Sequence, residues 1–158
     1  MDSNILLNSN SNTSLASVLK MLQATAKKPF AQASPMPAAA NHSVEFYNHE
    51  RNAVFMQEWI CVGRTDEIPA TGDYLTHDIA GVPVLIVRQE SNEIAGFVNA
   101  CAHRFMCLMP KAVGNVRAFT CRYHAWTYDL DGTLKRAPFM EMKEDFDMNQ
   151  HRLRSLHT

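Results

Sequence analysis

No stretch of this sequence is apolar for long. The longest such run, Ile79 to Val87, is nine residues and holds Gly81 and Pro83. A membrane-spanning helix needs roughly 20. A basic excess is also missing: 15 Lys and Arg against 16 Asp and Glu leave a net charge of −1 with seven histidines taken as neutral. A chain this balanced has little with which to neutralise a phosphate backbone, which excludes nucleic acid as a partner class. The start, Met-Asp-Ser-Asn, lacks the basic and long apolar regions of a secretory signal. Residues 3–40 are rich in Ser, Asn and Ala, as in an organelle transit peptide, but have no arginine. The cytoplasm is the expected location, with a transit peptide not excluded. Cysteines are few. There are four, enough for two disulfides in a secreted protein, but without a signal sequence they read as thiols in a reducing compartment.

What is present is a globular composition, 46% apolar and 20% charged over 158 residues, enough for one modest core and an appendage. Residues 1–40 read as an extension. Leu15, Val18, Leu19, Leu22 and Ala26 fall on one face of a short amphipathic helix, which Pro29, Pro35 and Pro37 end and convert to an extended linker. From 41 to 158 a second domain is expected. Asn48 is placed to cap a helix carrying Phe55 and Trp59 inward, and short strands follow. Apolar Trp59–Gly63, alternating Tyr74–Ile79, β-branched Val84–Val87 and Ile94–Asn99 are separated by turn residues. Gly114-Asn115 and Asp131-Gly132 each read as a two-residue hairpin turn. Such spacing implies a mainly β fold, an antiparallel sandwich or barrel, preceded by one or two short helices.

The chemistry lies in Cys101-Ala-His103-Arg104 and Cys121-Arg-Tyr-His124. Two thiolates and two imidazoles suit Zn²⁺ or an iron–sulfur centre equally by softness. Spacing separates them. Mixed zinc sites usually pair like with like, C-x₂₋₄-C and H-x₃₋₅-H, whereas here each segment supplies one Cys and one His. That distribution serves a binuclear cluster in which one iron takes both cysteines and the other both histidines. Gly114-Asn115 makes the linker a hairpin that brings the two segments together.

These residues resemble the Rieske domain, and within that family the N-terminal part of the large (α) subunit of Rieske non-haem iron oxygenases. The resemblance runs from about Phe46 to the C-terminus. It includes Glu58-Trp59 to Gly63, Ile68-Pro69 to Gly72-Asp73-Tyr74, Asn99 to Arg104, Gly114-Asn115, and Phe119-Thr-Cys-Arg-Tyr-His-Ala-Trp-Thr-Tyr-Asp-Leu-Asp-Gly132. It implies a [2Fe–2S] cluster with Cys101 and Cys121 on one iron and His103 and His124 on the other. It also implies electrons arriving from a reductase or ferredoxin and leaving for a mononuclear Fe(II). That second iron belongs to a catalytic domain, absent from these 158 residues, of the same or a neighbouring subunit. The whole enzyme would hydroxylate or demethylate a small organic molecule. This stretch alone would oxygenate nothing. A free-standing Rieske ferredoxin and a structural zinc module are the other readings.

High-potential members of the family bridge the two cluster loops with a further disulfide and place a hydroxyl two residues after the second histidine. Here Cys107 faces the position of Tyr123, and Trp126 stands at the hydroxyl position. Fewer hydrogen bonds to the sulfurs imply a potential near about −150 mV, the low end of the Rieske range. Phe105 stands where the family commonly has glycine, which is costly if φ is positive there. Outside the four ligands the plain readings are preferred. Cys61 is expected as a small buried hydrophobe, Cys107 as packing, and Trp126 and Tyr128 as core cover for the loops. His42, His49 and His77 are taken as surface residues, and Arg104 and Arg122 as either solvated or facing an electron donor. Asp147, His151 and His157 superficially suggest a two-histidine, one-carboxylate iron site. That reading is rejected because the stretch matches the final strand of the Rieske domain.

Overall fold

A computed structural model describes residues 13–140 and 142–158. The chain divides into two compact units, Met1–Ile60 and Cys61–Thr158.

In the first unit, helix α1 (Leu15–Ala26) begins at Ser14, whose hydroxyl accepts from the Ser17 amide, and Val18 on its apolar face is fully buried. Helix α2 (Val44–Glu50) starts four residues before the Asn48 cap expected from sequence. Ser43 caps it instead, accepting from the Phe46 amide at 3.2 Å and donating to the Thr13 carbonyl at 2.8 Å. Serine caps as well as asparagine, and this one also ties the helix to the start of α1. Glu45, in the first turn, accepts from the Leu15 amide at 2.8 Å. The helical path then widens into a π-turn over Arg51–Phe55. Phe55 and Trp59 do not pack inward as expected; they are 37% and 78% exposed. The wider turn breaks the 3.6-residue phase that the pairing assumed, and Trp59 lies beyond its end. No strand forms over Trp59–Gly63.

The second unit is built on two antiparallel sheets. One has the order β4-β1-β2-β3-β8, from β1 (Asp73–Ile79), β2 (Val82–Arg88), β3 (Ile94–Val98), β4 (Val113–Asn115) and β8 (Ser155–Leu156). The other has the order β5-β6-β7, from β5 (Phe119–Thr120), β6 (Thr127–Tyr128) and β7 (Leu134–Arg136). The barrel alternative is not realised, because the sheets stay open. Period-two alternation sorts β1 and β2 onto two faces. Tyr74, Leu85 and Val87 join Phe97, Phe119, Tyr128 and Leu134 in a core supplied by both sheets. Leu75, Val84 and Ile86 turn the other way, onto Ile68.

Gly114-Asn115 is not a hairpin turn. It lies within β4, which pairs with β1 so that Gly114 faces Tyr74. Glycine is required there because a Cβ would stand 2.7 Å from the Tyr74 hydroxyl oxygen. Asp131-Gly132 does turn the β6–β7 hairpin, with Gly132 at φ +81°. Its backbone is pressed against Phe97, whose ring a Cβ would meet at 2.5 Å.

Candidate metal centre

Both Cys–His segments become loops with one backbone frame. The first follows β3. Its base is closed by buried Asn99, whose side chain donates to the Met109 carbonyl at 2.8 Å and accepts from the Met109 amide at 3.0 Å. This is a side chain doing what a paired strand would do. The second loop spans the β5–β6 hairpin, where Phe119 pairs with Tyr128 and Thr120 with Thr127.

In each loop the cysteine carbonyl accepts from the amide four residues on, Phe105 or Ala125, both at 2.9 Å. In each, the cysteine amide donates to the carbonyl five residues on, Met106 at 2.9 Å and Trp126 at 2.8 Å. The residue four after each cysteine has φ +56°. Phe105 therefore does occupy left-handed backbone, at a cost of about 1 kcal/mol relative to glycine.

These frames bring the four candidate ligands together. Cys101 and Cys121 are buried and close enough that charge on one opposes charge on the other. The His103 and His124 ring centroids are 4.7 Å apart. Nδ1 of His124 is buried without a hydrogen-bond partner. A buried imidazole nitrogen with its lone pair unused is costly unless something coordinates it. No three His, Cys, Asp or Glu side chains among the described residues gather closely enough to hold one metal ion. Two thiols and two imidazoles, one of each from either loop, are a donor set that fits a two-iron cluster taking both cysteines on one iron and both histidines on the other.

The surroundings disfavour charge on Cys101 and on His103. Burial pushes the Cys101 thiol up, with the Tyr128 hydrogen bond opposing. Burial, then the charges of His124, Arg104 and His151, holds His103 below the usual histidine value. Neutral imidazole is the metal-binding form. Trp126 lies flat on His103, centroids 4.7 Å apart at 11°, and Phe146 and His151 abut the indole edge-on. Tyr123 lies against His124 at 3.8 Å.

Tyr128 does more than cover the loops. Its fully buried hydroxyl accepts from the Ala102 amide at 3.0 Å and lies 3.2 Å from Cys101 Sγ, so its proton is directed at sulfur. Burial and the neighbouring Cys101 raise its phenol far above the ordinary value, which keeps that proton in place. Sequence reasoning gave Tyr128 core cover of the loops, which its burial bears out, but missed its hydroxyl's place at Cys101 and the part Asn99 plays at the loop base. Their type carried no signal; only the register of β6 and the loop base reveals them.

Other expectations are corrected. Cys61 and Cys107 are exposed rather than buried, Cys61 because no strand forms around it. Cys107 receives a long contact from Asn99 Nδ2 at 3.5 Å. His42, His49 and His77 are on the surface, as are Arg104 and Arg122. Asp147 meets His151 through its backbone carbonyl, not its carboxylate, and β8 pairs with β3 as a final strand should. The rejected iron trio therefore has no geometry behind it.

Residues 58–152 match the model of the Rieske [2Fe-2S] domain. This chain belongs to the Rieske [2Fe–2S] domain family. The domain is similar to the glycine betaine monooxygenase oxygenase subunit of Chromohalobacter salexigens, 44% identical over 115 residues that make up 69% of this chain and 26% of that protein. It is similar also to the biphenyl 2,3-dioxygenase α subunit of Rhodococcus jostii, 38% identical over 68% of this chain and 25% of that one. Among solved structures, the quaternary ammonium Rieske monooxygenase CntA matches with a TM-score of 0.72 and 33% identity, over 77% of this chain and 33% of that chain. Naphthalene 1,2-dioxygenase from Rhodococcus sp. matches with a TM-score of 0.77 and 30% identity, over 90% and 32%. The Rieske domain described here thus spans about a quarter of the curated relatives' length, and it carries the iron–sulfur signature of oxygenase α subunits. No helix among the described residues is long and apolar enough to cross a membrane.

Proposed function

We propose that this chain is the electron-accepting Rieske domain of an oxygenase α subunit, with residues 1–40 an extension or linker and 41–158 the domain proper. Cys101 and Cys121 hold one iron of a [2Fe–2S] cluster and His103 and His124 the other. The observation that carries this is the convergence of two identically framed Cys–His loops on a buried, unpartnered His124 Nδ1. The cluster supplies one-electron chemistry when bound. The chain's own part is to hold the thiolates away from water, keep His103 neutral, present Tyr128's proton to sulfur, and leave the histidine side of the loops open to a partner.

Electrons enter from a reductase or ferredoxin in the cytoplasm. They leave for a mononuclear Fe(II) in a catalytic domain of the same or a neighbouring subunit, where a small organic substrate is hydroxylated or demethylated with O₂. Relatives named for quaternary amines and for aromatic hydrocarbons match this domain comparably, so substrate choice belongs to residues outside it.

Iron and acid-labile sulfide, measured on protein expressed anaerobically with iron supplied, test the ligand set. About two of each per chain are expected from the cluster stoichiometry, both lost in His124→Ala. Colourless protein with one zinc and no sulfide would identify a structural zinc module instead.

A further inference from the structure

The aromatic ring that supports His103 comes from the other loop. Trp126 belongs to the backbone frame of the second loop, where its carbonyl accepts from the Cys121 amide at 2.8 Å. Its indole crosses to the first loop and lies flat on His103, with centroids 4.7 Å apart and planes 11° from parallel. Parallel, offset stacking of this kind is a preferred arrangement of aromatic pairs. The indole is 2% exposed, so little water screens what its face does to the imidazole.

The stack is braced from outside the loops. Phe146 and His151, from the segment after β7, abut the indole edge-on at 5.6 and 5.5 Å. His151 is itself held, its Nδ1 donating to the Asp147 carbonyl at 2.9 Å. All of these residues lie in one compact unit, Cys61–Thr158.

Filling this space needs only an apolar side chain. What an indole adds is charge on its face. The ring quadrupole is negative above the plane, and among aromatic side chains tryptophan attracts cations best, most strongly where water is excluded. An imidazole bound to iron shares the positive charge of the metal. It carries more of that charge in the oxidised cluster than in the reduced one, because the two states differ by one electron. The stack therefore stabilises the oxidised state more.

We propose that Trp126 is the positioning residue for His103: its indole holds the plane of the imidazole from across the two loops and, through its negative face, favours the oxidised cluster and lowers the midpoint potential. This rests on the reading of His103 as a cluster ligand. It sets Trp126 against Tyr128, whose hydroxyl at Cys101 Sγ favours the reduced state, so the two residues tune the same couple in opposite directions.

The test varies the charge on the face and leaves its shape. The chain has two tryptophans, and W59F removes the other one, which is 78% exposed and lies in the first unit. In that background the full chain is loaded with iron and sulfide after growth on tryptophan, on a monofluorinated and on a difluorinated tryptophan. Fluorine withdraws charge from the face at nearly constant volume. EPR-monitored titrations, with dithionite supplying the single electron, read the midpoint of each. The midpoint should rise stepwise with the number of fluorines at unchanged iron content. W126L, which removes the face, should move the oxidised-to-reduced ratio at fixed potential by about three- to tenfold, an upward shift of about 30–60 mV. W126F should fall between W126L and wild type. The proposal is overturned if fluorination leaves the midpoint level or lowers it. A rise in W126L beside a level fluorinated series would also overturn it, leaving the indole as a plug against water. Where W126L holds no cluster, the fluorinated series decides by itself. A wild-type chain that takes up no iron and sulfide fails earlier, at the ligand assignment itself.

Discussion

Replacing Tyr128 by phenylalanine removes one oxygen from the middle of the centre and should lower the cluster's midpoint potential without dispersing the cluster. The hydroxyl lies 3.2 Å from Cys101 Sγ and accepts from the Ala102 amide at 3.0 Å. A hydrogen bond to a charged group is worth about 1.5–3 kcal/mol. Only its strengthening on reduction, when the sulfurs carry more negative charge, moves the potential. If about 1 kcal/mol of the bond is gained on reduction, Tyr128→Phe lowers the midpoint by about 40 mV, since a tenfold change is about 1.4 kcal/mol and about 59 mV for one electron. The orphaned Ala102 amide costs about 1 kcal/mol more, a fall of about 2–4 °C in Tm for a chain of this size. An EPR-monitored redox titration reads the first quantity and a thermal melt the second. Both signals should come from protein whose iron content is unchanged. A midpoint equal to that of wild type, or above it, would refute the role assigned to this hydroxyl. The same bond also amends the potential expected from sequence alone. Trp126 does replace the hydroxyl two residues after His124, but Tyr128 retains one hydroxyl at the sulfurs.

Two further outcomes follow from the scaffold. In Gly114→Ala the new Cβ would sit 2.7–2.9 Å from three atoms of the Tyr74 side chain, which is buried and cannot move aside. A loss of about 1–3 kcal/mol is expected, read as a lower denaturant midpoint, and an unchanged midpoint would show that β4 does not press on β1 as described. Asp73 is held below the usual carboxylate value, first by Asn115 and then by the Ala70 amide. A depressed carboxylate adds stability above its ordinary pKa and loses it as pH falls through the lower folded value. Asp73→Asn should accordingly flatten the acid side of the stability–pH curve and leave its neutral region nearly level. An acid limb as steep as wild type's would place that dependence elsewhere.

The sequence made the four candidate ligands legible because coordination fixes residue type and spacing together: few chemistries want one Cys and one His in each of two short segments. It made β1, β2 and β3 legible because alternation there coincides with a core on both faces of the sheet. It misled at Gly114-Asn115, where a dipeptide that favours a turn is used for something else. That glycine makes room for the Tyr74 ring inside a strand, and the sequence of a turn and of a close approach is the same. It misled again at Phe55 and Trp59, whose spacing of four assumes an α-helical phase that a π-turn does not keep. Tyr128 and Asn99 were illegible for a different reason. A tyrosine in a β segment is ordinary, and only strand register decides whether its hydroxyl meets water or a ligand's sulfur.

Register also resolves the least regular feature of the motif, the unequal spacing C-x-H and C-x-x-H. Aligned on their histidines, the loops differ by one residue. Aligned on their hydrogen bonds, they coincide, with a cysteine carbonyl accepting from the fourth residue on and a cysteine amide donating to the fifth. The frame is therefore common to both and the histidine is the variable, at the second position after Cys101 and the third after Cys121. Two identical loops facing one another would present their imidazoles as equivalents. Shifting one histidine by a residue changes the direction from which its ring enters, and the result here is a tilt of 59° between the His103 and His124 planes. One ring can then lie flat on Trp126 while the other rests against Tyr123. The inequality that looks like sequence noise gives each candidate ligand its own aromatic support, Trp126 buried and Tyr123 half-exposed.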